Sequence, residues 1–316
     1  MVNSTISNPL AIGMEIGGTK IQVGIGSANG KLLKPPIRRQ VIRKDGAEGI
    51  RRDLVVMVAE ALDFARLSLS DIDRIGIGFG GVLDANQGLI LKSYQIAGWD
   101  GFPLKKWVEE QWGKPAILQN DASTAGLAEA LHGNGHGFSR IFYMTIGSGI
   151  GGGWIVDGRI DNGQGLGAAE MGHTWVPEPG SGMPIELEQL CSGWAIGQRA
   201  RLAVAGKRSL MVEMAGSVDA IDAKIVYTAA EKGDETAGQI LNETCQGLGL
   251  AISNVVALLH PERVIVGGGV SFMGPLFWDG LRREVSARSM PSFAPGVEVV
   301  RAGLGEDVVV IGALCL

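Results

Sequence analysis

Three glycine-dense segments stand directly after short apolar runs, and each has the composition of a backbone cradle for an anion. Gly17-Gly18-Thr19-Lys20 follows the run Ala11–Ile16. Peptide N–H groups of a turn at a strand end can point at phosphate, and a threonine hydroxyl and a lysine ammonium add donors. The spacing is not that of a Walker A loop, and a plain hairpin turn is the competing reading. Gly147-Ser148-Gly149-Ile150-Gly151-Gly152-Gly153 follows Ile141–Ile146 and holds five glycines in seven residues. Glycine is entropically costly to order, so this density asks for a closely approaching ligand. Gly267-Gly268-Gly269 ends the run Val264–Val266. Strand ends of this kind hold ligands in α/β folds, and a helix-packing turn explains the run equally well.

Two further constellations carry ionisable groups. Asn120-Asp121 lies between the apolar run Ala116–Leu118 and a small-residue segment from Ala122. Both residue types favour helix N-caps, and on spacing alone that reading leads. Glu170 and His173 are three apart and share a face if the segment is helical, with Glu188 following. A surface pair or a buried hydrogen-bonded histidine serves as well, so the residues alone leave this set open.

These residues must be positioned by a repeated unit. Met14–Gly17 and Met144–Gly147 both read Met-X-Ile-Gly and lie 130 residues apart. Each is followed by a glycine turn, a second apolar run and a hairpin dipeptide, Asn29-Gly30 in one copy and Asp157-Gly158 in the other. Around these units, periodicity predicts helices over 47–67, 103–112, 122–132, 217–232, 234–259 and 306–316. Strands are predicted over 74–79, 115–119, 263–267 and 296–301. Alternating strands and helices give an α/β class, and the duplication gives two similar lobes with a cleft between them, where ligands are favoured. The expected division is a disordered leader 1–10, a small lobe 11–119 and a large lobe 120–316, with the last helix returning to the small lobe.

Composition narrows the function classes. A chain of 316 residues is long enough for two domains with full cores. A net charge of −5, with basic residues scattered, argues against a nucleic-acid surface. Three widely spaced cysteines make no disulfide framework and fit a reducing, cytoplasmic compartment. No apolar stretch is long enough to span a membrane, and MVNSTISNPL lacks the features of a signal peptide. The outlier is glycine, 49 residues or about twice the average usage, attributed here to turns and ligand loops.

The ordered set EIGGTK (15–20), GIGFGGVLD (76–84), AGWDGFPL (97–104), NDAS (120–123), TIGSGIGGGWIVDG (145–158), GAAEMGH (167–173), ELEQLCSG (186–193) and VIVGGGV (264–270) resembles the ROK-type sugar kinases. The resemblance runs from about Ala11 to the C-terminus. It implies a duplicated ribonuclease H-like fold of the actin-like ATPase type, with ATP and Mg²⁺ as partners of a hexose substrate. It implies that Asp121 is the catalytic base, and that Asn120, Glu170, His173, Glu188 and Gly81 bind the sugar. Gly17, Gly18, Thr19 and Lys20, with Gly147, Ser148, Gly149, Gly151 and Gly152, match the phosphate loops. Gly267, Gly268 and Gly269 match the adenosine-side loop. A homodimer is expected by the same analogy.

The chain also departs from the family pattern. Residues 174–187 (TWVPEPGSGMPIEL) hold none of the cysteines with which many relatives bind zinc beside the histidine, so no structural zinc is expected. Glu15 stands where most relatives have aspartate, a glutamate being shared with the family's fructokinases, and is expected to reach magnesium through water. Gly80 and Gln95 replace a common proline and asparagine. The leading expectation is a glucokinase, with a fructokinase or N-acetylhexosamine kinase as the alternative enzyme. A sugar-responsive repressor needs an N-terminal helix-turn-helix for which the stretch before the first strand leaves no room. A non-catalytic sugar sensor is the alternative of another class.

Overall fold

The computed structural model describes residues 9–316. Its elements, in chain order, begin with β1 (Leu10–Ile16), β2 (Lys20–Ser27), β3 (Ile37–Gln40), α1 (Gly46–Ala65), β4 (Ile72–Phe79), β5 (Val82–Asp84), β6 (Leu89–Lys92), α2 (Leu104–Trp112), β7 (Ala116–Asn120) and α3 (Asp121–His132). The chain continues through β8 (Arg140–Ile146), β9 (Ile150–Val156), β10 (Arg159–Ile160), β11 (Trp175–Pro177), β12 (Pro184–Glu186), α4 (Leu187–Cys191), α5 (Gly193–Val204), α6 (Leu210–Ala215), α7 (Ala223–Glu231) and α8 (Glu235–Leu259). It ends with β13 (Arg263–Gly267), α9 (Pro275–Arg288), β14 (Glu298–Arg301) and α10 (Val308–Cys315).

The two principal sheets have one topology. The first runs β3-β2-β1-β4-β7 and the second β10-β9-β8-β13-β14. In each, the first strand of the set is central, the next two fold outward on one side, and the last two lie on the other side. β4 is parallel to β1 and β7, and β13 is parallel to β8 and β14. The Met-X-Ile-Gly segments end β1 and β8, so the internal repeat is a repeat of structure. The fold is the duplicated α/β arrangement expected from the sequence.

By internal contacts the chain divides into two units. One takes the chain through Gly137 together with Gly153–Ala168 and Gly303–Leu316; the other takes Phe138–Gly152 and Ala169–Ala302. This differs from a division at residues 119 and 120, because α3 and α10 pack together and α10 lies on β1 and β4. Leu10 already belongs to β1, which shortens the expected leader; residues 1–8 of that expectation lie outside the described residues.

Local signals explain most elements. α1 buries Ile50, Leu54, Met57, Val58 and Ala61, one stripe at helical spacing. Asp157 and Gly158 both have positive φ, 50° and 71°, and place Val156 opposite Arg159 in a tight β9–β10 hairpin. At Asn29-Gly30 the return makes only one bridge, Gly26 to Leu32, and β3 begins later, at Ile37. Pro35 and Pro36 lie between, and proline has no N–H for a ladder. The helix predicted over 217–232 is α7, which covers only Ala223–Glu231. α6 closes on Gly216 at φ 78°, and α7 starts at Ala223, where Asp222 accepts the N–H of Ile225 at 2.8 Å. The strand predicted over 296–301 starts at Glu298, after a single 3-10 turn. α9 was not expected, yet it buries Phe277, Trp278, Leu281 and Val285.

Part of the glycine excess serves packing rather than turns or ligands. A Cβ on Gly13 would stand 2.5 Å from the Val310 carbonyl oxygen, and one on Gly76 1.8 Å from that of Ala313. A Cβ on Gly312 would stand 2.0 Å from the Thr124 carbonyl oxygen. The backbone of α10 therefore lies directly on bare strand and helix backbone, which only glycine permits. Among the described residues, no helix is long and apolar enough to cross a membrane.

Candidate active site

In the first unit the candidate residues gather at the C-terminal ends of β1, β4 and β7. Asn120, the last residue of β7, is extended (φ −63°, ψ 144°) and caps α3. Its Oδ1 accepts the N–H groups of Ala122 and Ser123 at 2.9 and 3.1 Å, and its Nδ2 donates to the Gly81 carbonyl at 3.4 Å. The cap reading is therefore correct for Asn120, and it leaves Asp121 as the first helical residue. Asp121 Oδ1 accepts the N–H of Ala122 at 2.8 Å. Its Oδ2 lies over Gly80, where a Cβ would come within 2.9 Å. Burial of the carboxyl group pushes its pKa above the ordinary aspartate range, and backbone N–H groups oppose this less strongly.

Glu15, on β1, is 7% exposed. Its Oε2 accepts from Gln22 Nε2 and lies 3.6 Å from Lys20 Nζ. Burial raises its pKa most; Lys20 and the Gln22 hydrogen bond oppose, and the Asp121 charge adds to the rise. The charge of Asp121 thus reaches Glu15, with Lys20 as a counter-charge. Gly17 N–H donates to the Lys20 carbonyl at 3.1 Å, so Gly17 to Lys20 is a hairpin turn between β1 and β2. Gln95 lies across its tip, with Oε1 1.7 Å from the place of a Gly18 Cβ.

In the second unit, Gly147 to Gly149 form the turn between β8 and β9, with the Gly147 N–H donating to the Gly149 carbonyl at 2.9 Å. No atom lies within 4 Å of a Gly147 Cβ position. Ser148 is exposed beside it. Gly151 and Gly152 belong to β9 instead, and Gly152 is closed off by the Ala169 carbonyl oxygen, 2.1 Å from its Cβ position. Glu188 Oε2 accepts the Ile150 N–H at 2.7 Å and lies 2.3 Å from the Gly149 Cβ position. Gly149 therefore makes room for a carboxylate of its own chain.

Glu170 and His173 are not on an α-helix. A single 3-10 turn, Met171–His173, follows Glu170, and Ala169 before it has φ 65°. His173 Nδ1 lies 3.5 Å from Glu186 Oε2, a partner that the sequence reading did not include. The β11–β12 register, with Trp175 opposite Glu186, brings that carboxylate back beside the histidine. Cys191 is fully buried, its Sγ donates to the Thr244 carbonyl at 3.6 Å, and burial pushes its thiol up to about 12. Among the described residues, no three His, Cys, Asp or Glu side chains are grouped to hold a metal ion.

The three glycines after β13 have different reasons. A Cβ on Gly267 would meet Tyr143 Oη at 2.2 Å, and Gly268 has φ 78° with the Ile146 carbonyl oxygen 2.5 Å from its Cβ position. Gly269 has nothing within 4 Å of its Cβ position. The packing reading accounts for the first two and leaves Gly269 free to face a ligand.

The chain is similar to known proteins along nearly its whole length. A glucokinase of Thermotoga maritima is 34% identical over 96% of this chain and 95% of its own. A glucokinase of Halalkalibacterium halodurans is 33% identical over 95% of this chain and 92% of its own. The crystal structure of a ROK family glucokinase from Streptomyces griseus, in complex with glucose and AMPPNP, superposes with a TM-score of 0.81 at 31% identity, covering 96% of this chain and 98% of that one. The ROK family model matches residues 11–316, and the chain belongs to that family.

Proposed function

We propose that this protein is a glucokinase, which transfers the γ-phosphoryl group of ATP to the 6-hydroxyl of glucose. The observation that carries the reading is the end-to-end likeness to glucokinases at 31–34% identity. Asp121 is the proposed base. The sugar oxygen bonds to the γ-phosphorus, the bond from that phosphorus to the ADP oxygen breaks, and the hydroxyl proton passes to the Asp121 carboxylate. Phosphoryl transfer asks mainly for alignment and charge neutralisation. A base whose pKa is raised toward working pH accepts the proton more readily than an ordinary aspartate.

The remaining roles belong to the same proposal. Asn120, with its amide on the Gly81 carbonyl, Glu170, His173 and Glu188 hold sugar hydroxyls. Gly17, Gly18, Thr19 and Lys20 offer donors to phosphate, as do Gly147, Ser148 and Gly149. Gly269 borders the nucleoside. Gly151, Gly152, Gly267 and Gly268 act indirectly, by shaping those loops.

A buried carboxyl group whose pKa the charge of a second carboxyl group raises further suits a hard divalent cation, which prefers oxygen ligands and keeps several waters. Glu15 would hold Mg²⁺ through such a water, and the ion would supply charge neutralisation to the β- and γ-phosphates. A cytoplasmic location fits the unpaired cysteines. A homodimer, and the absence of nucleic-acid and membrane partners, complete the proposal.

The test is a coupled ADP-release assay across glucose, fructose, mannose and N-acetylated hexoses, with the product identified by ³¹P NMR. Glucose should give the highest kcat/KM and glucose 6-phosphate as product. A preference for fructose or an N-acetylhexosamine reassigns the substrate. Silence on all of them favours a sugar sensor.

A further inference from the structure

Gln22 is a polar side chain in the apolar interior of β2. It is 0% exposed, between Ile21 and Val23, which are equally buried. Its Nε2 donates to Glu15 Oε2 and, at 3.0 Å, to the Glu306 carbonyl. Its Oε1 is buried and has no hydrogen-bond partner among the described residues. Flipping the amide makes matters worse, because Oε1 would then face a carboxylate and a carbonyl, and neither donates. A buried acceptor left unpaired destabilises a fold relative to an apolar side chain of similar shape. Packing alone therefore favours methionine or leucine at this position.

What the amide achieves is orientation. Glu15 and Gln22 are direct partners in the antiparallel β1–β2 register, so the donor is carried by rigid backbone. The other donor near Glu15 Oε2 is Lys20, at 3.6 Å on a flexible stem, which also reaches the Glu306 carbonyl at 3.4 Å. Glu306 lies in the turn that leads into α10, so the amide ties the carboxylate to a third fixed point. Departures from local packing rules of this kind tend to mark functional sites.

We infer that Gln22 is a positioning residue that holds the Glu15 carboxylate in one orientation for the metal–nucleotide complex. The inference rests on the proposed role of Glu15 toward Mg²⁺. It assigns Gln22 no contact with substrate. Supporting groups of this kind typically alter metal affinity or activity by about 10- to 100-fold when removed.

The experiment is a double-mutant cycle with Gln22→Met and Glu15→Gln in the full chain, with Gln22→Leu as a second apolar replacement. Gln22→Met should lower kcat about 10- to 100-fold, leave KM for glucose unchanged, and raise the Mg²⁺ concentration for half-maximal rate. Mn²⁺ affinity in the presence of ADP, read by electron paramagnetic resonance, should fall, while Tm of the ligand-free protein should not. The double variant should be no slower than Glu15→Gln alone. Wild-type metal affinity in Gln22→Met, losses that multiply in the double variant, or loss of folding in both apolar variants would overturn the inference. If Glu15→Gln itself turns over like wild type, the metal role of Glu15 and this inference fall together, while phosphorylation through Asp121 stands.

Discussion

Asn120 closes the helix that Asp121 opens. The Asn120 Oδ1 takes the N–H groups of Ala122 and Ser123 at 2.9 and 3.1 Å, while Asp121 Oδ2 lies over Gly80. Asn120 supplies the cap, and the backbone bond from Ala122 to Asp121 falls on Oδ1. The two residues therefore divide a structural and a chemical task.

That division can be separated by substitution. Asn120→Ala should lose about 0.5–2 kcal/mol of stability, the usual worth of a cap. Asn120→Ser retains a capping oxygen but not the amide that reaches Gly81. It should unfold close to wild type in a urea titration while its KM for glucose rises about tenfold or more, as expected when a polar group that meets a sugar hydroxyl is removed. Equal glucose KM in Asn120→Ser and wild type would leave Asn120 a cap alone.

Raised carboxyl pKa values carry a stability consequence with a definite sign. Asp121 and Glu15 both hold their protons to higher pH when folded than an exposed carboxyl does. Between the unfolded and folded values the native state binds more protons, so this contribution to stability is highest below the unfolded value and is lost as pH rises through the folded one. Asp121→Asn cannot ionise. It should be more stable than wild type at pH 8, and the difference should close as pH falls below the ordinary aspartate range. Thermal unfolding at pH 8 and pH 3.5 checks this, and a lower Tm for the variant at pH 8 would contradict it.

Glycines that the protein itself does not require point to ligands. Gly147→Ala and Gly269→Ala place a methyl group where no protein atom lies within 4 Å, so Tm should hold. If these surfaces meet ATP, KM for ATP should rise about tenfold or more, since steric exclusion acts on the ligand alone. Gly268→Ala, at φ 78° and against the Ile146 carbonyl, should instead lower Tm. Unchanged ATP kinetics in both of the first two variants would remove the loops from the nucleotide site.

On the sugar side, Gly149→Ala should act through Glu188. Its methyl would come within 2.3 Å of Glu188 Oε2 and force that carboxylate off the Ile150 N–H. KM for glucose should rise in Gly149→Ala as it does in Glu188→Ala, about tenfold or more for loss of a hydrogen bond to a charged group. Isothermal titration with glucose checks both variants, and wild-type affinity in Glu188→Ala would remove it from the sugar site.

Much of this organisation is legible in the sequence, and the exceptions have physical causes. β1, β4, β8 and β13 announce themselves as buried apolar runs ended by glycine, and α3 by the Asn-Asp pair before small residues. The helix predicted over 217–232 starts too early because Val218 and Ile221 continue the apolar spacing of Ile225, whereas the Asp222 cap starts α7 at Ala223; the short α6, closed by Gly216, was not expected. The mid-strand glycines 13 and 76 look like turn formers until α10 is laid on them. Gln22 and Glu186 carry no sequence signal, because strand register alone, β1 on β2 and β11 on β12, brings each to its carboxylate or histidine.

The most direct test compares wild type and Asp121→Asn for glucose-dependent ADP release, with glucose affinity measured on the same preparations. Removing a general base from a step of this kind should lower kcat by about 10²- to 10⁴-fold while glucose still binds. Equal turnover in the two proteins, with glucose bound by both, would contradict the assignment of Asp121 as the base.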